Sequence, residues 1–147
     1  NQAGDVFQIQ LSSRGCAYGD LDGDGDQDIV VSNMDDIPTI YENLGGSGNH
    51  WIGVDLAGTV SNRSALGSWV TIKSDGREIK RYHRGQFGYA SQSELTLRFG
   101  LGKSTSIDSI TVQWPTGQTE TFSAPRVDTV LKIVEGKGNA GQIIRER

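Results

Sequence analysis

Five carboxylates in nine residues, Asp20-Leu-Asp22-Gly-Asp24-Gly25-Asp26-Gln-Asp28, constrain this chain more than any other stretch. At about 4 Å two like charges repel by roughly 1 kcal/mol even in bulk water, and by more near a protein surface. A solvated acidic turn would have to bear that repulsion. A hard divalent cation removes it, and calcium accepts six to eight oxygens in a flexible shell. The alternation sets Asp20, Asp22 and Asp24 on one concave side, Gly25 permits the sharp turn, and Asp28 closes the loop. Asp26 sits where such loops give a backbone carbonyl. The stretch reads as a calcium loop with Asp20, Asp22, Asp24, Asp26 and Asp28 as metal residues and Ca2+ as the cofactor.

The loop does not fit an EF-hand. That motif needs a bidentate Glu at its twelfth position and a helix on either side, whereas the twelfth residue from Asp20 is Val31. The chain runs instead into Ile29-Val-Val-Ser-Asn33, a β-branched run that reads as a buried strand. A calcium loop inside a β-hairpin follows.

Period-two alternation continues along the chain, and no long 3.6-residue period appears. Strands are expected at Val6–Leu11, Pro38–Glu42, Trp51–Leu56, Trp69–Lys73, Arg77–Tyr82, Glu94–Phe99, Ile110–Trp114 and Thr119–Phe122, and around Leu131 and Ile133. Asp75-Gly76 between two of them is a strong hairpin signal, because both residues tolerate positive φ. With 20 Gly and only 3 Pro, many tight turns between short strands are affordable. About seven strands between residues 51 and 134 argue for a β-sandwich. The three before residue 46 are too few to bury their own face and must pack on the sandwich or on another chain.

Charge divides the chain at the same place. Residues 1–46 hold one basic and nine acidic residues, and residues 47–147 hold 13 basic and 9 acidic. Gly45-Gly-Ser-Gly48 lies at the change and reads as a linker. The chain starts at Asn1 without a Met or a signal pattern, as an excised C-terminal piece would. No apolar run approaches the roughly 18 residues of a membrane span.

Two sets of residues carry a further resemblance. Arg14-Gly-Cys-Ala-Tyr-Gly19 with the acidic loop and Ile29-Val-Val resembles the FG-GAP/VCBS repeat, which builds β-propellers with calcium in hairpin loops. Asn49-His-Trp-Ile52, Ser61-Asn-Arg63 with Gly67, Ser91-Gln-Ser93, Phe99-Gly-Leu-Gly102 and Trp114-Pro-Thr-Gly117 resemble the ASPIC/UnbV domain, which follows such a propeller in secreted proteins. The resemblance covers roughly residues 14–135 and implies a calcium-stabilised extracellular module with adhesive or interaction roles and no enzymatic activity. It assigns calcium to the same five aspartates. A complete propeller needs several blades and this chain holds about one, so a function of the propeller face would be incomplete here.

The expected fold is therefore all-β: a β-sandwich over residues 47–135, preceded by a partial β-propeller-type blade with a calcium-binding hairpin loop over 1–46, and followed by a polar tail over 136–147. The expected setting is extracellular or cell-surface, secreted or periplasmic, with an extracellular protein or polysaccharide as partner and no nucleic acid or membrane span.

Other constellations are weaker. Gly100-Leu-Gly102-Lys103-Ser104 lacks the first glycine and the helix of a phosphate-binding loop and reads as a turn. His50 and His83 have no paired metal spacing. No Gly-x-Ser-x-Gly elbow exists, and the lone Cys16 has no partners for catalysis and reads as a small buried hydrophobe, so no enzyme is expected. Trp51, Trp69 and Trp114 occupy alternating strands and read as core rather than a sugar platform. Arg81, Tyr82, Arg84, Phe87 and Tyr89 form the candidate ligand-binding set, in an arm that also contains Arg77 and Lys80. The competing reading of that arm is an edge strand guarded by Lys and Arg. The alternative function that this set implies is a carbohydrate-binding module. Asn62-Arg-Ser64 is a glycosylation sequon, meaningful only in a eukaryotic secretory host.

Overall fold

A computed structural model describes residues 10–45, 48–85, 88–123 and 126–138, with the backbone of a last strand at Gln142–Glu146. Among these residues every regular element is a strand, in three sheets. β1 (Ser13–Gly19), β2 (Asp28–Asn33) and β3 (Thr39–Tyr41) form an antiparallel meander, with the acidic loop joining the first two. β4 (His50–Ala57), β7 (Leu97–Gly102), β10 (Thr129–Val134) and β11 (Gln142–Glu146) form a sheet in the order β11-β10-β4-β7. β5 (Trp69–Ser74), β6 (Arg77–Tyr82), β8 (Ser109–Gln113) and β9 (Thr119–Phe122) form the other, in the order β6-β5-β8-β9.

These two sheets enclose the core, as the alternation predicts. Ile52, Val54 and Leu56 of β4, Val70 and Ile72 of β5, Ile110 and Val112 of β8, and Leu131 and Ile133 of β10 all point inward and are buried. Each such side chain contributes about 1.5–3 kcal/mol relative to leaving it in water. The β5–β6 turn is the expected two-residue hairpin, with φ of 49° at Asp75 and 69° at Gly76. β4 and β10 pair in parallel, from Thr129 beside Ile52 to Val134 beside Ala57, and only residues distant in sequence can make that pairing.

Several expectations change. Most of the expected strand Val6–Leu11 lies outside the described residues, as do Gly46 and Ser47 of the expected linker, and the first described strand begins at Ser13. The apolar residues of β2 are not buried: Ile29 is exposed and Val30 and Val31 are half-covered, because no sheet among the described residues packs across the meander's face. Cys16 is exposed on the same sheet. The strand expected at Glu94–Phe99 starts three residues later and reaches Gly102, because Glu94 is engaged elsewhere. The stretch expected as a polar tail carries β11, paired antiparallel with β10. Trp51 and Trp114 are core, but Trp69 is 39% exposed.

Candidate metal centre

The acidic loop folds back on itself through its own carboxylates. Asp20 Oδ1 accepts from Gly23 N at 2.6 Å, Asp22 Oδ1 from Asp24 N at 3.1 Å, and Asp24 Oδ1 from Asp26 N at 2.9 Å. Asp28 ties the loop to both neighbours: its two oxygens accept from Leu21 N at 2.8 Å and Asn43 N at 2.9 Å. Such side-chain acceptors replace the ladder bonds that a tight loop cannot make. Gly23 and Gly25 supply φ of 86° and 99°, which L side chains rarely adopt.

This winding brings Asp20, Asp22 and Asp28 together, with one oxygen from each lying within 4.8 Å of the others. Asp20 and Asp28 are buried and Asp22 is exposed, so the cluster is open on one side. Three hard oxygen donors at this separation fit a hard divalent cation. Asp24 and Asp26, also expected as metal residues, do not join the cluster. Asp24 spends one oxygen on the loop, and both residues line a cleft of about 240 Å³ on the sandwich side.

The loop sits on the sandwich through residues that sequence reading assigned to strands. Arg98 at the start of β7 is buried; its Nη2 lies 3.0 Å from Asp20 Oδ2, and its Nε and Nη2 donate to Glu94 at 3.0 Å each. Its guanidinium rests 5.1 Å from the centre of the Trp51 ring. Trp51 in turn lies flush under Gly25, where a Cβ would come within 1.9 Å of the indole Nε1. Glu94 N donates to Tyr18 O at 2.9 Å, and Tyr18 N to Ser93 Oγ at 3.2 Å, so residues 93–94 run along the edge of β1. The signal for Arg98 was present in Glu94-x-x-x-Arg98, but alternation alone reads both as solvent-facing strand charges.

Three further polar clusters brace the sandwich. Glu135 follows β10 and is buried. Its Oε2 accepts from the backbone of Thr59, Val60 and Ser61 at 2.9, 2.9 and 2.7 Å, and its Oε1 from Ser61 Oγ at 2.7 Å. Burial pushes its pKa up, but the donors from Ser61, Thr59 and Val60 outweigh that and hold it at about 2. His83, just past β6, is buried with Nε2 at 2.8 Å from Ser64 O, and burial lowers its pKa. His50 opens β4 with Nδ1 at 2.7 Å from Asp128 Oδ2.

The candidate ligand set is dispersed. Arg81 is exposed at the edge strand β6 with its guanidinium 5.6 Å from the centre of the Phe99 ring, whereas Tyr82 packs beside Trp69. Arg81, Tyr82 and Arg84 do line one cleft, of about 200 Å³. Tyr89 is exposed on a different loop, beside Gly15 of β1, and Phe87 lies outside the described residues.

The family model described as "ASPIC and UnbV" matches residues 58–140, more than half of the chain and most of the sandwich. The chain belongs to the ASPIC and UnbV family. Its similarity extends before that match. Cartilage acidic protein 1 of Xenopus tropicalis is 28% identical over 137 residues, which cover 88% of this chain and 21% of that protein. Cartilage acidic protein 1 of Homo sapiens is 27% identical over 138 residues, covering 89% of this chain and 20% of the relative. This ASPIC/UnbV chain thus spans about a fifth of the length of the curated relatives it matches. Among its described residues no helix is long and apolar enough to cross a membrane.

Proposed function

We propose that this chain is a non-catalytic, calcium-stabilised interaction module of an extracellular or cell-surface protein, adhesive in role. The observation that carries the reading is the convergence of Asp20, Asp22 and Asp28 oxygens within 4.8 Å, on a loop whose backbone is already wound by its own carboxylates. Those three residues would hold the ion, which would neutralise charge and lock the β1–β2 hairpin. The likeness to cartilage acidic protein 1 supports an extracellular setting. The three-stranded meander with its acidic loop supports reading the first 46 residues as one propeller-type blade.

At free calcium about 100 times the dissociation constant, binding adds about 2.7 kcal/mol. For a chain of this size that is a rise of about 8 °C in Tm. Asp22→Ala is the discriminating variant, because Asp22 is exposed and accepts one loop bond, whereas the buried Asp20 and Asp28 also hold Arg98 and tie the loop to its neighbours. Thermal melts in millimolar calcium and in chelator should show the rise in the parent and its loss in Asp22→Ala. An unchanged rise in the variant would sink the assignment. A carbohydrate-binding role is the second reading, favoured by the exposed rings of Trp69 and Tyr82.

A further inference from the structure

The outer face of the β6-β5-β8-β9 sheet is ordered in rows by its register. Tyr82, Trp69, Gln113 and Thr119 lie side by side across the four strands, and Lys80, Thr71, Thr111 and Thr121 form the next row. With strands about 4.8 Å apart, each row spans roughly 14 Å. Trp69 and Tyr82 are 39% and 43% exposed, with ring centres 4.8 Å apart and planes tilted by 50°. Thr111 and Thr121 face each other at 3.3 Å, so a strip of hydroxyls and an amide continues from the rings. An exposed, mutually tilted aromatic pair followed by neutral hydrogen-bonding groups matches a sugar chain, whose successive rings offer C–H faces to stack and hydroxyls along their rims.

The charge on this face narrows the class. Lys73 is paired with Glu78 at 3.6 Å, but Lys80 meets no acid among the described residues and rests 4.8 Å from the centre of the Trp69 ring. One uncompensated cation beside the stacking surface suits a chain with scattered carboxylates. A densely sulfated chain would call for clustered cations. We infer that Trp69, Tyr82 and Lys80 form a binding site for a uronic-acid-bearing polysaccharide. The inference deepens the carbohydrate reading and rests on it, while standing apart from the calcium loop.

Trp69 is the exposed member of the three tryptophans, since Trp51 and Trp114 are 5% and 1% exposed, so quenching by acrylamide reports on this face. A galacturonic acid hexamer titrated into the whole chain should protect the emission saturably. By calorimetry, Trp69→Ala and Tyr82→Ala should each raise Kd about tenfold or more, the loss expected for one stacking ring. Lys80→Gln should weaken the uronate and leave a neutral cellohexaose unaffected. Asp22→Ala should bind as the parent does, which separates failure of this site from failure of the calcium reading. Absence of protection, tighter binding of cellohexaose or of a heparin hexasaccharide, or protection by protein concentration alone would each overturn the inference. If Trp69→Ala does not fold, Tyr82→Ala and Lys80→Gln decide it.

Discussion

Arg98, a residue of the sandwich, lies 3.0 Å from Asp20, the first carboxylate of the acidic loop, and both side chains are almost completely buried. The same guanidinium grips Glu94, so one cation holds two acids from different parts of the fold. Breaking a buried pair by removing one member costs about 3–5 kcal/mol, because the remaining charge is left without compensation. Arg98→Met is therefore expected to destabilise the chain by that amount in urea unfolding without calcium. With calcium present the loss should shrink, since the ion replaces part of the charge that Asp20 loses. Arg98→Lys should not rescue, because a point charge cannot reproduce the fork of contacts. A loss below about 1 kcal/mol in chelator would show the pair to be incidental.

Gly25 and Gly23 give an internal comparison. Both have positive φ, but a Cβ at Gly23 would meet nothing within 4 Å, whereas one at Gly25 would overlap the Trp51 indole. Gly23→Ala should cost only the backbone strain, about 1–2 kcal/mol. Gly25→Ala should cost more and should alter the near-ultraviolet circular dichroism of the buried indole. Equal effects of the two substitutions would mean that the loop does not rest on Trp51.

Acid stability should follow Glu135. Its pKa is about 2 when folded against 4.5 unfolded, so between these values the unfolded chain binds more protons and stability rises with pH. The contribution is complete above pH 4.5 and is lost as pH falls through 2. Glu135→Gln should cost about 2–4 kcal/mol at neutral pH through its lost charge-assisted hydrogen bonds, and should flatten the stability profile below 4.5. His83, lowered by burial, adds a loss as pH falls below 6.5, because the unfolded imidazole takes up the proton first. An unflattened profile in Glu135→Gln would assign the acid limb to other carboxylates.

Most of the sandwich was legible because its strands have one wet and one dry face, so Ile52, Val54, Leu56, Ile110 and Val112 announce themselves by period alone. The Asp75-Gly76 hairpin was legible for a different reason: its turn chemistry is local. What escaped was decided across the chain. Arg98 looks like any strand charge until Asp20 and Glu94 converge on it. Trp69 falls in step with Thr71 and Lys73, whereas Trp114 falls in step with Ile110 and Val112, so the alternation already separated them; the register adds that Trp69 stands beside Tyr82. The aspartates of the loop were legible as a group, but which three converge depends on hydrogen bonds that a linear spacing does not encode.

The parallel pairing of β4 with β10 sets an order in time. β4 lies at the middle of its sheet, yet one neighbour is β10, whose paired residues lie 77 positions further along, which a ribosome adding about 5–20 residues per second needs several seconds to deliver. Until then β4 presents a row of unpaired backbone groups beside a strongly apolar face. Closure of this sheet thus waits on β10, however early β4 emerges.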